Sequence, residues 1–186
     1  MRKDVERVAL FLILGNISGF FAGVIYLVIG GIKSKRKLLF WQIIDIILYI
    51  MADIFLDGWS ALLCDISLLV TVSLEYFNKR SVVFDAVDMT ILCMSTLFIT
   101  VLTGRWFEWL PLIGTVVITV YARRNILSYK MALICASILF LLYSLYIQCY
   151  TTCVFNLLFI VFTSVSVVKG YKSAVYDDKS VNKDDL

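Results

Sequence analysis

Histidine is absent from this chain of 186 residues, and proline occurs once. The first absence removes the commonest metal ligand and general base. The second, together with only nine glycines, leaves little material for long loops. Five cysteines (Cys64, Cys93, Cys135, Cys149 and Cys153) include no C-x-x-C pair. A disulfide framework or metal site is therefore not expected, and the cysteines read as small apolar packing residues. Charge is scarce too. Only 17% of residues are charged, the net charge is +3, and most basic residues fall in connections. Nucleic acid is not an expected partner, and nothing calls for a cofactor.

What fills the chain is apolar. Hydrophobic residues make up 61% of it and the mean hydropathy is +0.92, against about 45–50% apolar residues in soluble domains. At about 20 residues per span, the length accommodates seven helices and no sizeable soluble domain. The apolar runs place spans at 8–32, 38–56, 58–76, 83–103, 110–122, 126–148 and 151–168. The fifth is short unless it borrows the aromatics before it. Met1-Arg2-Lys3 resembles the start of a signal peptide, but the apolar run from Val8 to Ile32 is too long for one and reads as a retained span. The expected fold is all-α, a polytopic membrane helix bundle of seven transmembrane helices over residues 1–168. Residues 169–186 read as a disordered cytoplasmic tail.

Lys and Arg set the expected orientation. With seven spans, 13 of the 17 fall on one side, in loops 33–37, 77–82 and 123–130 and in the tail. The N-terminal arm and Arg105 share the other. By the positive-inside rule the N-terminus is outside and the C-terminus cytoplasmic. Trp59, Trp106, Trp109 and Tyr150 then mark the outer boundary, and Trp41, Tyr76, Tyr121 and Tyr129 the inner one. Gly15, Gly19 and Gly23 are four apart, a small-residue face suited to close helix packing.

Spans one to three and five to seven share a rhythm of span, basic loop, span, tight turn, span. Repeats are thus expected at 8–76 and 110–168, joined by helix 83–103, a 3+1+3 arrangement. Ser34-Lys35-Arg36-Lys37-Leu38-Leu39 followed by Gln42, then Leu110-Pro111-Leu112-Ile113-Gly114-Thr115, with Tyr143 and Asn156 further on, resembles the YgjV-like bacterial inner-membrane proteins over nearly the whole chain. That resemblance implies a multi-pass protein of the bacterial cytoplasmic membrane. The arrangement also resembles SWEET and PQ-loop sugar transporters and the PnuC transporters. It implies for Asn156 a substrate-facing role on the third helix of its repeat. Asp65 departs from the asparagine of that pattern, which points away from a neutral sugar.

The polar residues inside the spans carry the functional reading. A charge at the centre of a membrane helix costs about 2.5–3.5 kcal/mol on insertion scales. Yet Asp45 and Asp65 lie within apolar segments that hold no basic residue. Gln42, Asp45, Tyr49 and Asp53 are spaced to share one face of span two. Asp45, Asp65, Asn156, Asn16, Tyr49 and Gln42 are the expected substrate-binding residues around one cavity, suited to a small polar or cationic solute or a coupled proton. Asp53, Asp85, Asp88 and Glu75 read as solvated boundary residues. Enzyme chemistry is not expected. Asp53-x3-Asp57-Gly58 lacks the basic residue and second Asp pair of a CDP-alcohol phosphotransferase, and no G-x-G-D marks an aspartyl protease. A small-solute transporter or facilitator is the first reading; a non-transporting scaffold or accessory subunit is the second. Lipid is the certain surrounding, and a homo-oligomer is allowed.

Overall fold

The computed structural model describes the backbone of residues 2–181 and the side chains of residues 9–169. Among the described residues there are seven α-helices and no strand: α1 (Arg2–Gly31), α2 (Lys35–Phe55), α3 (Trp59–Tyr76), α4 (Val82–Thr103), α5 (Trp109–Ala122), α6 (Ile126–Tyr146) and α7 (Tyr150–Val181). Six have a stretch long and apolar enough to cross a bilayer; the seventh, α5, is shorter. Its 14 residues span only about 21 Å at 1.5 Å per residue. The one-turn 3-10 helix Trp106–Glu108 extends it, so α5 does borrow the aromatics before it. The helix α7 runs on through 169–181, the first part of the stretch expected as a disordered tail. Extending a formed helix costs far less than starting one. Residues 182–186 lie outside the described residues.

Three connections end their helices in the same way. Asp57, Asn78 and Gln148 take left-handed backbone angles (φ 53°, 55° and 59°). The next residue in each case donates its N–H back across the turn: Gly58 to Asp53, Lys79 to Leu74 and Cys149 to Ser144. These are Schellman turns, which satisfy carbonyls that a helix end would otherwise leave bare. The left-handed residue of the α2–α3 turn is thus Asp57, and Gly58 has an ordinary φ of −83°.

The helices α1, α2, α3, α5, α6 and α7 pack each against the next, and α7 returns to α1, so the six form a ring. The helix α4 packs outside it, against α3 and α5. The small-residue face of α1 works as its spacing predicts. A Cβ on Gly19 would meet Thr152 Oγ1 at 2.9 Å, and one on Gly23 would overlap the Phe155 ring. The backbones of α1 and α7 approach because both side chains are missing. Toward the end carrying the basic loops the ring is filled by Ile29, Leu38, Leu39, Val72, Tyr129 and Leu133, all buried. Tyr129 is therefore a core residue and not the boundary anchor expected from its position.

That end is also tied by charge. Glu75 pairs with Lys35 at 2.7 Å; Asp85 pairs with both Arg80 and Arg123 at 2.8 Å. Arg80, itself buried, donates to the Thr119 carbonyl at 2.8 Å. The network holds the start of α4 against the ends of α3 and α5.

Candidate functional site

The ring encloses a cavity of about 70 Å3. That is room for a few waters, since one needs roughly 10–15 Å3 measured this way. Five of the six expected binding residues line it: Gln42, Asp45 and Tyr49 from α2, Asp65 from α3 and Asn156 from α7. The 3-and-4 spacing on α2 places its polar side chains on one inward face. Asn16 is elsewhere. It lies in an outward-facing groove between α1 and the start of α7. There Thr151 donates to it from its hydroxyl at 3.1 Å, and Asn16 donates to the Leu12 carbonyl at 2.9 Å. Asn16 fastens two helices; it lies about 15 Å along α1 from Tyr26, which enters the cavity, and roughly a quarter-turn around the helix.

Asp53 is the main correction. It is 8% exposed and lines the cavity with the other two acids. Its nearness to the end of α2 is real, but α3 folds back over it. The remaining boundary acids do lie at the edge, Glu75 and Asp85 in ion pairs and Asp88 accepting from the Ser67 hydroxyl. Residues not anticipated also line the cavity: Tyr26 from α1, Tyr143 and Ser144 from α6, Cys149 from the α6–α7 turn and Thr152 from α7. Only Tyr143 had a signal, among the residues that carry the family resemblance.

Three carboxyl groups thus face one small space with no Lys or Arg in its lining. No hydrogen-bond donor reaches Asp45 Oδ1, Asp53 Oδ2 or Tyr49 Oη, although all three atoms are buried. The Asp53 and Asp65 carboxyls are within hydrogen-bonding reach of each other. Two acceptor groups so placed can bond only through a proton between them. At the basic-loop end the cavity is bounded by Gln42, which accepts from Tyr129 Oη at 2.6 Å. Tyr26, stacked on Phe159 at 3.8 Å, bonds Ser137 at 2.8 Å.

The lining has an internal register. Asp65 lies eight residues past the left-handed Asp57, and Asn156 eight past the left-handed Gln148. The same register pairs Gln42 with Leu133, Tyr49 with Phe140, Asp53 with Ser144 and Ala61 with Thr152, and every one of these lines the cavity. In these pairs the acids, Asp53 and Asp65, are the first members; the counterpart of Asp45, Ala136, is outside the lining.

What the arrangement can do follows from this chemistry. Carboxylates, an amide and phenols accept hydrogen bonds from a cation or hold protons. Among the described residues no group of three His, Cys, Asp or Glu is placed to hold a metal ion. A family model described as a bacterial inner membrane protein matches residues 13–174. No curated protein and no solved structure matches the chain.

Proposed function

The chain belongs to the Imp-YgjV family of bacterial inner membrane proteins, and we propose that it works there as a small-solute transporter or facilitator whose site is the acid-lined cavity. One observation carries this reading. Three carboxyls and four buried polar partners converge, unpaired with any cation, on a shared space within the bilayer-spanning part of the bundle. Burying such groups is costly unless something they bind offsets it. Packing alone would be served better by apolar side chains.

The cavity's size and charge favour a small cationic or hydrogen-bond-donating solute. Drug-sized ligands occupy about 300–1,000 Å3, well above this volume. The apolar plug of Leu38, Leu39, Val72 and Leu133 supports a state closed toward the basic-loop end. In the proposed orientation that end is cytoplasmic and the N-terminus is outside. The paired register of the lining supports two triplets, α1–α3 and α5–α7, about α4, which would rock against each other around the site. A scaffold or accessory subunit is the second reading. Its favouring observation is α4, whose Val83, Met94, Phe98 and Val101 face outward.

A thermal-shift screen of the purified protein tests the first reading, using ammonium, methylammonium, guanidinium and choline. A ligand at 100 times its Kd stabilises the fold by about 2.7 kcal/mol. At least one of these cations is expected to raise the unfolding temperature of wild type and not of Asp65→Asn. Uniform behaviour of wild type and variant across the set contradicts a cation site.

A further inference from the structure

Beyond the cavity, a line of buried polar groups leads from its acid pair toward the Trp-rich end of the bundle. Gly58 is where it starts. Its φ is −83°, so the backbone does not require glycine there. Space does. A Cβ on Gly58 would meet Asp53 Oδ1 at 3.2 Å and Tyr143 Oη at 3.5 Å. The missing side chain leaves both oxygens facing one small gap, fit for a bridging water. Tyr143 Oη lies 3.3 Å from Ser60 Oγ, and Ser60 donates in turn to Glu108. Glu108 is only 4% exposed, and its neighbour Arg105 is turned over the Phe107 ring at 5.9 Å. A buried acid bonded to a serine, with its adjacent cation stacked elsewhere, serves packing poorly. As an end station for protons it makes sense.

We infer that Asp53 and Asp65 exchange their proton with the Trp-rich face through Tyr143, Ser60 and Glu108, along a relay that Gly58 leaves open. A proton on Glu108 passes to Ser60 Oγ. Ser60 gives its own proton to Tyr143 Oη, and Tyr143 gives its proton to a water in the gap, which passes one of its own to Asp53 Oδ1. Each hydroxyl breaks one O–H bond and forms another, ending neutral, and no electrons are transferred. The proton arrives at Asp53 Oδ1, the oxygen facing the gap, and makes Asp53 the protonated member of its pair with Asp65. The other titratable groups facing the pair are Asp45 and Tyr49 on α2, Tyr26 on α1, Cys64 on α3 and Cys149 in the α6–α7 turn. Among the cavity-lining residues α5 contributes only Ile118. None of these continues toward Glu108.

The relay rests on the transport reading for its use, but its test needs no solute, so the two can fail separately. Full-length protein in vesicles is moved from H2O to D2O, and the carbonyl stretch of protonated carboxyls is followed by infrared spectroscopy. Asp53→Asn and Asp65→Asn identify the band. Tyr143→Phe and Glu108→Gln are expected to slow its isotope exchange at least tenfold. Gly58→Ala should slow it too, by placing a methyl in the gap, while Glu75→Gln at the opposite end exchanges like wild type. Slowing in at least two of the three relay variants supports the relay. Slowing in one or none overturns it, as does the lack of a protonated band sensitive to both Asp substitutions. If Tyr143→Phe or Glu108→Gln fails to fold, Gly58→Ala, the mildest change, decides alone.

Discussion

Tyr129 donates to Gln42 at 2.6 Å with no solvent on either side, so each group depends on the other for satisfaction. Tyr129→Phe strands the Gln42 carbonyl, and a stranded buried acceptor costs about 1–3 kcal/mol. Unfolding in detergent should show that loss, and Gln42→Leu added to Tyr129→Phe should recover part of it. Asp65 tests function more than stability. Asn keeps the shape and one acceptor but cannot share a proton between two acids. Asp65→Asn is expected to lower solute uptake into vesicles about tenfold and to flatten its pH dependence; an unchanged pH profile counts against a charged role. At this scale the sequence was legible where side chains repeat at helical spacing, as Gln42, Asp45 and Tyr49 do. It was not legible for Asp53. Distance from a helix end measured along the chain says nothing about which helix folds over it. Asn16 failed for a related reason: depth in the membrane does not tell inward from outward.

The helix α1 owes its seat to missing side chains, which makes it a sharp test of element packing. Gly23→Ala pushes a methyl into the Phe155 ring, while a Cβ at Gly31 meets nothing within 4 Å. Overpacking a close contact costs about 1–3 kcal/mol. Gly23→Ala should lower the unfolding temperature and Gly31→Ala should leave it nearly unchanged. The turn before α7 predicts the opposite sign. Gln148 holds φ at 59°, where a side chain other than Gly, Asn or Asp costs about 1–2 kcal/mol. Gln148→Gly should therefore stabilise the protein, read by the same unfolding measurement. Helix number was readable because most spans are long apolar runs broken by charge; the short α5 and the uncharged turn Ile147-Gln148-Cys149 are the exceptions. The equal distance of Asp65 and Asn156 from their turns could not be read, because the left-handed residue was not the glycine that usually marks such a turn.

Across the whole molecule, a ring of six helices with a seventh outside it surrounds a cavity lined by three acids. If α5 crosses along with the six longer helices, the two termini lie on opposite sides of the membrane. Reporter fusions at both ends should find the N-terminus outside and the C-terminus cytoplasmic; two cytoplasmic ends would break that topology. The idea on which the functional reading depends is that Asp45, Asp65 and Asn156 share a space that water and solute can reach. Composition showed that polar groups were buried, but the closing of α7 onto α1, which brings Asn156 opposite the acids, is a long-range fact that no local pattern encodes. The most direct test replaces the five native cysteines and introduces single cysteines at positions 45, 65 and 156. A membrane-impermeant polar thiol reagent is then applied from each side of oriented vesicles. All three positions should be labelled from at least one side and protected by a bound solute. Three cysteines that stay unlabelled from both sides, while loop cysteines react, would contradict a shared solute-accessible cavity.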